Sequence, residues 1–293
     1  MELEKDFEDK RNRINQRLDE LIPKSSLPYQ NLFDAAKYSL NSSGKRLRPL
    51  LTLAAVEMLG GKECDALTPA CAIEFVHTYS LIHDDLPCMD NDDFRRGKPT
   101  LHKVFPEGVA VLAGDFLLTH AFQLISSCQT LSDTQKIKLI SVLATNAGGD
   151  GMIAGQIMDM KAENTKISFE ELQMIHTKKT GALIAASLEF GAILASANSH
   201  LRETLKSYGE IIGLAFQITD DLLDVTHSQA KHGKSVSSDI INNKSTYASI
   251  LGAEKAKMAA LELAKKAKEK LQSLSYNTNK LEKIADYIIS RTN

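Results

Sequence analysis

Five aspartates and two arginines crowd into one short segment, residues 83–97, which reads HDDLPCMDNDDFRRG. The segment follows a mostly apolar stretch, and half-buried carboxylates at this density repel each other and lose hydration. They therefore need a compensating cation, and oxygen-only ligands favour a hard ion such as Mg²⁺, which binds through carboxylates and phosphates together. Arg95 and Arg96 follow at once, and their planar guanidinium groups suit phosphate oxygens. The segment predicts a site for a polyanion that is held partly through metal.

A second acidic cluster lies in residues 217–224, QITDDLLD. On a helix, Gln217, Asp220, Asp221 and Asp224 fall at i, i+3, i+4 and i+7, so they share one face. The flanking residues are mostly apolar, and carboxylates on so hydrophobic a helix lower its stability unless a cation neutralises them. One such cluster alone fits an exposed acidic stripe equally well. Two clusters of the same kind favour a metal site.

The other candidate cations are dispersed along the chain. Lys45, Arg46 and Arg48 stand at a predicted helix start, where exposed N–H groups favour an anion, although surface clusters of this kind are common. Lys179 precedes the apolar stretch that begins at Gly181, which indicates a position facing a cleft. Lys234 lies in a polar stretch after the second acidic cluster, where an ordinary solvated lysine is an equal alternative.

Three further polar residues are placed by helical spacing, His77 on the face of Asp84, and Gln156 on one face with Asp159. His77 lies seven residues before Asp84, so both point the same way on their helix, although a satisfied core histidine is an equal alternative. Gln156 and Asp159 are three residues apart. Either they face a ligand or they form a buried hydrogen bond between helices, and the sequence does not distinguish these two interpretations.

The composition limits the class of protein that presents these groups. The chain has 293 residues, of which 43% are hydrophobic, enough to bury a large core. Lys and Arg number 35 against 37 Asp and Glu, which argues against general nucleic-acid or membrane-surface binding. Four cysteines without CxxC spacing fit free thiols, so we expect a cytoplasmic protein. We expect no signal peptide, and we expect the apolar run 181–199 to be a core helix rather than a membrane span.

Hydrophobic periodicity predicts helices along most of the chain, with strand patterns almost absent. The expected helices cover residues 2–21, 29–42, 49–59, 68–84, 108–126, 132–164, 168–198, a long segment from about 200, 245–273 and 278–290. A bend is expected at Gly148-Gly149, inside the stretch 132–164. Residues 97–106 and 227–243 are expected to be loops. The pattern predicts an all-α protein, a single domain over residues 1–293, built as a bundle of about ten or more antiparallel helices.

Several of these segments together resemble the short-chain trans-isoprenyl diphosphate synthases, most of all their bacterial farnesyl-forming members. The matching segments are GKRLRP at 44–49, the acidic segment 83–97, GQIMD at 155–159, KTG at 179–181, FQITDDLLD at 216–224 and NKSTY at 243–247. The resemblance implies the isoprenoid synthase fold with a deep central cavity and two Asp-rich motifs facing across its mouth. It also implies a homodimer and three Mg²⁺ ions for each active site.

The same resemblance implies a role for individual residues. The implied metal ligands are Asp84, Asp90 and Asp220, with Asp85 and Asp224 as helpers. The cations on an allylic diphosphate are Arg95, Lys179 and Lys234. The isopentenyl diphosphate set is Lys45, Arg48, His77 and Arg96. Thr180 and Gln217 match groups beside the reacting carbons. The implied catalytic set is Asp84, Asp85, Asp90, Arg95, Lys179 and Asp220.

The implied reaction joins isopentenyl diphosphate to dimethylallyl or geranyl diphosphate, with diphosphate released. Tyr79 precedes Asp84 by five residues, and with the Pro87-Cys88 insert it resembles the pattern of farnesyl-forming enzymes, so a fifteen-carbon product is expected. Ordinary core packing of Tyr79 is an equal alternative from position alone. A geranylgeranyl or longer-chain synthase, a terpene cyclase and a non-catalytic partner subunit are the competing functions. No nucleic-acid partner and no membrane insertion are expected.

Overall fold

The computed structural model describes residues 2–230 and 246–290, and α-helices dominate both ranges, which confirms the predicted all-α class. Contacts between Cα atoms divide the chain into two compact units. Unit 1 comprises Met1–Leu53 and Lys62–Ile140, and unit 2 comprises Ala54–Gly61 and Ser141–Asn293.

The described residues form the following elements in chain order. They are α1 (Glu2–Leu21), α2 (Gln30–Leu40), α3 (Leu47–Met58), α4 (Glu63–Asp84), β1 (Phe94–Arg95), β2 (Lys98–Pro99), α5 (Leu101–Val104), α6 (Glu107–Ser126), α7 (Asp133–Ala147), α8 (Met152–Ala162), α9 (Phe169–His176), a π-helical turn (Thr177–Gly181), α10 (Ala182–Leu194), α11 (Ser199–Ala230), α12 (Tyr247–Leu251), α13 (Ala253–Gln272) and α14 (Asn279–Ser290).

The core of unit 1 forms where α4 packs against α6. Phe75 and Ile73 of α4, like Leu117 and Ile125 of α6, have no exposed surface. Burial of large apolar side chains contributes about 1.5–3 kcal/mol each, so this contact fixes the C-terminal end of α4, where the first acidic segment begins.

The core of unit 2 is arranged around α11, which packs against α10 and α13. Tyr208 of α11 is fully buried, and its hydroxyl donates to the carbonyl of Leu281 in α14 at 2.6 Å. Leu214 and Ile218, one helical turn apart on α11, belong to a buried cluster that also contains Tyr247. The second acidic cluster is therefore carried on a helix that packs against α10 and α13.

The predicted start of α4 is wrong. The helix begins at Glu63, five residues before the expected start at Thr68, and Pro69 lies inside it. The pair Thr68-Pro69 indicated the expected start, because proline is favoured in the first turn of a helix. Glu63 and Asp65 instead occupy the first turn, where carboxylates complement the helix dipole.

Three predicted long helices are each interrupted. The stretch 132–164 divides into α7 and α8, and 168–198 divides into α9, the π-helical turn and α10. The stretch 245–273 divides at Gly252, whose φ of 83° ends one helix and begins the next. The first break includes the expected bend at Gly148-Gly149, because α7 ends at Ala147 and α8 begins at Met152. Hydrophobic periodicity continues through the breaks in the other two stretches, so the pattern alone does not reveal them.

Two predicted loops also contain regular structure. Residues 94–99 form an antiparallel two-stranded pair in which Phe94 lies opposite Pro99, and α5 follows directly. The backbone of α11 continues to Ala230, so the expected loop at 227–243 begins inside a helix. The remainder of that loop lies outside the described residues.

Within the described residues, α6 is long and apolar enough to span a membrane by length and composition. Its buried residues, among them Ala113, Leu117 and Ala121, pack within unit 1. We interpret it as a core helix, because core helices of globular proteins pass the same test.

Candidate active site

The first acidic segment leaves α4 through a tight turn in unit 1. Asp84 is the last residue of α4, and its carbonyl accepts a hydrogen bond from the backbone N–H of Asp90 at 2.8 Å. Asn91, with φ at 51°, then turns the chain away. The turn brings Asp84 and Asp90 close in space although helical spacing would separate them, and both are half-buried.

Asp85 has a different environment from these two residues. It is only 4% exposed, and its Oδ1 accepts from Nε and Nη2 of Arg95 at 2.7 and 2.6 Å. Burial raises the pKa of the Asp85 carboxyl, and the contact with Arg95 opposes that shift. Arg95 also lies 3.9 Å from Asp92, whereas Asp93 pairs with Lys103 at 2.7 Å rather than with either arginine.

An open pocket lies beside this ion pair within unit 1. Its polar lining includes His77, Asp85, Arg95 and Arg96, and its apolar lining includes Leu81, Ile82, Pro99 and Leu101. Burial, with Arg48 and Arg96 close by, lowers the pKa of His77 well below its ordinary value. His77 is therefore a neutral hydrogen-bonding group in a pocket whose charged lining is mainly cationic.

The other basic residues of unit 1 that are predicted to bind substrate differ in how far they are exposed to solvent. Lys45 is exposed, whereas Arg48 is only 9% exposed in the first turn of α3. Arg96 adopts φ at 53° and donates from Nη1 to the carbonyl of Ser43 at 2.9 Å. Arg96 thus contacts the same loop that carries Lys45.

The candidate residues of unit 2 gather around the π-helical turn. Lys179 donates to Oδ2 of Asp159 at 2.7 Å, and Thr180 donates to Oε1 of Gln217 at 2.9 Å. Turns of this kind insert an extra residue into a helix and are frequent at functional sites. The turn redirects Lys179 and Thr180 relative to α9 and α10, so that each bonds a different helix.

Asp221 was predicted only as one carboxylate of the second acidic cluster, and in the structure it completes a hydrogen-bonded chain. Its Oδ1 accepts from Nε2 of Gln217 at 3.1 Å, and its Oδ2 accepts from the backbone N–H of Tyr247 at 2.9 Å. The donor from Thr180 and the acceptor on Asp221 together fix which way the Gln217 amide points. The i, i+4 spacing of Gln217 and Asp221 was the signal available in the sequence.

The structure places the other predicted groups of unit 2 on the expected elements. Asp220 is half-buried on α11, and the backbone of Asp224 continues the same helix. Lys234 lies outside the described residues. Both amide atoms of Gln156 are buried and have no hydrogen-bond partner among the described residues. The predicted alternative of a hydrogen bond between helices is therefore not realised for Gln156, whereas Asp159 of α8 forms one with Lys179 of the π-helical turn.

Close packing of α8 on the π-helical turn predicts a strong effect for Gly155→Ala. A Cβ at Gly155 would lie 2.2 Å from the backbone N of Lys179, and backbone cannot move aside as a flexible side chain can. We expect the variant to lose about 1–3 kcal/mol of unfolding free energy in denaturant titrations. Gly108→Ala in α6 is the control, because no atom lies within 4 Å of its added methyl. Equal stability of Gly155→Ala and the wild type would contradict the packing argument.

The pKa of His176 predicts an acid-dependent loss of stability. Its ring stacks on Tyr247 with centroids 5.4 Å apart, and burial lowers its pKa from 6.5 to about 4. The unfolded chain therefore binds more protons than the folded chain between these values. The stabilisation is present above pH 6.5 and is lost as the pH falls towards 4.

His176→Phe keeps an aromatic ring in the stack and removes the titrating group. We expect its unfolding free energy, relative to the wild type, to rise by about 2 kcal/mol between pH 7 and pH 4.5. Denaturant titrations at the two pH values measure this difference, and a pH-independent difference would assign the acid sensitivity to other groups.

The comparisons with known proteins agree with these features. The sequence profile of the family described as Polyprenyl synthetase matches residues 29–288. The chain is 46% identical over 285 residues to the farnesyl diphosphate synthase of Bacillus subtilis, covering 97% of this chain and 96% of that protein. It is 45% identical over 283 residues to the chloroplastic geranylgeranyl pyrophosphate synthase of Capsicum annuum, covering 96% of this chain and 76% of that protein.

A solved structure gives the same result for the fold. The FPP/GFPP synthase of Zymomonas mobilis aligns with a TM-score of 0.88 at 38% identity, covering 99% of each chain. This confirms the expected isoprenoid synthase fold. From the profile match over most of its length and from relatives of this identity, the chain belongs to the polyprenyl synthetase family and is a prenyltransferase.

Proposed function

We propose that the chain condenses isopentenyl diphosphate with dimethylallyl or geranyl diphosphate to give (2E,6E)-farnesyl diphosphate and diphosphate, in a Mg²⁺-dependent reaction. The observation that carries the proposal is the unit 1 pocket, in which guanidinium groups, a neutral histidine and apolar side chains line one space. Guanidinium groups bind phosphate oxygens, and apolar walls exclude water. We further propose that residues 1–293 act as one synthase domain, in agreement with a profile match that includes residues of both units.

The donor set fits Mg²⁺ in the manner of phosphate-bridged sites. Asp84 and Asp90 are half-buried carboxylates drawn together by a backbone hydrogen bond. Among residues 2–230 and 246–290, no three His, Cys, Asp or Glu side chains converge to hold an ion by themselves. Mg²⁺ is ordinarily bound through one or two carboxylates plus substrate phosphates, which suits this arrangement. We propose Asp84, Asp90 and Asp220 as Mg²⁺ ligands. We also propose three Mg²⁺ ions for each active site.

Bound Mg²⁺ would neutralise the charge that develops on the departing diphosphate. On the protein side, we assign Arg95, Lys179 and Lys234 to the allylic diphosphate. Asp85 holds the Arg95 guanidinium in place through two hydrogen bonds, and Asp159 does the same for Lys179 through one. Groups that are held in this way need not reorganise when the leaving group acquires charge.

We assign Lys45, Arg48, His77 and Arg96 to isopentenyl diphosphate. The lowered pKa of His77 keeps its imidazole neutral, so it offers an N–H donor without adding a charge. Diphosphate departure leaves an allylic cation, which the double bond of isopentenyl diphosphate attacks. A proton is then lost from the new carbon skeleton, and we propose the released diphosphate as its acceptor.

Thr180 and Gln217 are the groups that we assign beside the reacting carbons. Their shared hydrogen bond, together with the bond from Gln217 to Asp221, fixes the direction of the amide dipole. A fixed dipole stabilises transient positive charge without offering a mobile nucleophile.

The main alternative is a geranylgeranyl or longer-chain synthase, because the Capsicum annuum relative carries that name. Such an enzyme would use the same polar groups and differ where the growing chain ends, for which we propose Tyr79. A terpene cyclase would not require the isopentenyl diphosphate set, and a non-catalytic subunit would not require two intact Asp-rich motifs. We also propose a homodimer in the cytoplasm, which sedimentation of the purified protein and fractionation of cells would test.

The decisive experiment incubates the purified protein with Mg²⁺, labelled isopentenyl diphosphate and either allylic starter. A fifteen-carbon diphosphate that disappears when the metal is chelated is the expected product. If no elongated product forms, the synthase proposal is wrong. A dominant twenty-carbon product would replace the farnesyl assignment by the geranylgeranyl one.

A further inference from the structure

Arg46 differs from the two basic residues that flank it in the loop between α2 and α3. Lys45 is exposed and Arg48 lies in the first turn of α3, whereas the side chain of Arg46 folds back into unit 1 and leaves the residue 5% exposed. The proposed reaction gives Arg46 no part. A buried arginine must have its donors satisfied, so its partners indicate what it does.

The guanidinium of Arg46 joins three elements of unit 1. Its Nε donates to Oδ1 of Asn15 in α1 at 2.8 Å, and its Nη1 donates to Oε1 of Glu74 in α4 at 3.0 Å. Its Nη2 donates to the carbonyls of Leu40 and Ser42. Only the planar fork of an arginine reaches acceptors in so many directions at once.

These bonds complete the C-terminal end of α2. The last four carbonyls of a helix lack partners within it. Three of them, in residues 37–39, accept from Asn41 and Ser42. The fourth, that of Leu40, accepts from the guanidinium of Arg46. The Arg46 side chain therefore satisfies the last carbonyl of α2.

Arg46 also lies at the start of α3, immediately before its first residue, Leu47. Its own carbonyl accepts from the backbone N–H of Leu50 at 3.1 Å, which is the first bond of that helix. Its φ is 51°, a left-handed conformation that costs free energy for any residue with a side chain. Such a conformation persists when the surroundings determine it, and here the bonds of the guanidinium supply that constraint.

Glu74 connects this loop to the pocket. It is 2% exposed on α4 and lies three residues before His77, on the same side of the helix. Its Oε1 accepts from Arg46, whereas its Oε2 is buried without a hydrogen-bond partner among the described residues. Loss of Arg46 would leave an uncompensated carboxylate close to a pocket that the proposed function requires to bind anions.

We infer that Arg46 is a positioning residue, held by Glu74, that fixes the loop presenting Lys45 and Arg48 to isopentenyl diphosphate. The inference rests on the proposed function for the identity of that ligand. It concerns the affinity for one of the two substrates, because neither Arg46 nor Glu74 belongs to the groups assigned to the allylic diphosphate.

The test measures both Michaelis constants in Arg46→Met and Arg46→Lys. We expect KM for isopentenyl diphosphate to rise about tenfold or more in each, with KM for geranyl diphosphate within about twofold of the wild type. The lysine variant keeps the charge and offers a fallback if the methionine variant folds poorly. A merely structural role would lower the active fraction and leave the ratio of the two constants unchanged.

Two controls separate positioning from charge balance and from stability. The double variant Arg46→Met/Glu74→Met removes both charges, and replacing a buried pair in this way is often neutral for stability. We expect it to fold as well as the wild type and still to bind isopentenyl diphosphate weakly. Lys10→Met removes another buried cation, whose Nζ lies 2.6 Å from Oε1 of Glu63. We expect this variant to change the unfolding free energy and to leave both Michaelis constants unchanged.

A double variant with the wild-type KM for isopentenyl diphosphate would overturn the inference, because charge balance would then suffice. Unchanged KM for isopentenyl diphosphate in both single variants would overturn it as well.

Calorimetric titration of isopentenyl diphosphate into the wild type and the variants measures binding without turnover. Inactive wild type would count against the proposed function, whereas equal binding by wild type and variants would count against the role of Arg46.

Discussion

Replacing Asp84 by asparagine is expected to lower kcat for elongation by about 10²–10³-fold, the effect of removing one preorganised electrostatic group. Asparagine keeps the shape of the side chain and leaves the backbone bond from Asp90 to Asp84 in place. The variant therefore tests the charge at this position rather than the geometry of the turn. Single-turnover measurements with geranyl diphosphate determine the effect on the chemical step.

The same substitution is expected to leave the fold intact or to stabilise it slightly. Asp84 ends α4 and Asp85 is its C-terminal cap, and carboxylates are unfavourable at the C-terminal end of a helix. Removing one such charge should raise the unfolding free energy by about 0.3–1 kcal/mol. Lower activity with higher stability is what a functional carboxylate at an unfavourable position predicts.

The matched control is Asp93→Asn, in the same segment. The Asp93 side chain is 65% exposed and pairs with Lys103, so we expect activity within about twofold of the wild type. A Mg²⁺ titration completes the test. The concentration for half-maximal activity should rise in Asp84→Asn and not in Asp93→Asn, and an unchanged titration in both would remove Asp84 from the ligands.

The candidate site divides into parts that the sequence could predict and parts that it could not. Asp84 and Asp220 could be predicted as candidates because residue type and spacing within a few positions carried the signal, and their role as ligands stays a prediction. The pairing of Asp85 with Arg95 was not predicted, because it depends on a turn and a strand pair between them. Arg46 was grouped with its basic neighbours, since nothing local indicates that its partner Glu74 lies 28 residues away.

The helices show the same division between local and tertiary causes. The capping box formed by Ser168 and Glu171 can be predicted from the sequence SFEE at 168–171, because both of its residues lie within one turn, and it is present in the structure. The π-helical turn at Thr177–Gly181 was not predicted. Its sequence continues the helical pattern, and the insertion is stabilised by contacts with α8 and α11, which lie far away along the chain.

Tyr79→Ala is expected to move the main product from fifteen carbons to twenty or more. Tyr79 is 6% exposed on α4, five residues before Asp84, which places it about 7.5 Å nearer the start of the helix. Its ring lies edge-on to His83, with centroids 5.6 Å apart, and Nε2 of His83 lies 3.0 Å from the carbonyl of Val111. The aromatic ring is therefore held rigidly, as a residue that limits chain growth must be.

The ionisation of Tyr79 supports a purely steric role. Burial, with the charge of Asp84 nearby, raises its pKa to about 12, so the phenol remains protonated at any working pH. Tyr79→Phe should accordingly keep the fifteen-carbon product, because it preserves the ring. Product lengths are read by chromatography after hydrolysis of the diphosphates.

Phe75→Ala distinguishes a limit to chain growth from ordinary core packing. Phe75 lies one turn before Tyr79 on α4 and has no exposed surface, so its truncation should cost about 3–5 kcal/mol and leave the product unchanged. If Tyr79 borders the space for the product, its truncation should lower the unfolding free energy less than that of Phe75. The volume that the Tyr79 ring leaves would then join the product space, whereas truncation of Phe75 would leave a closed cavity in the core. An equal loss of stability in both variants with unchanged fifteen-carbon product would place Tyr79 in the core, and the limit to chain length would then lie elsewhere.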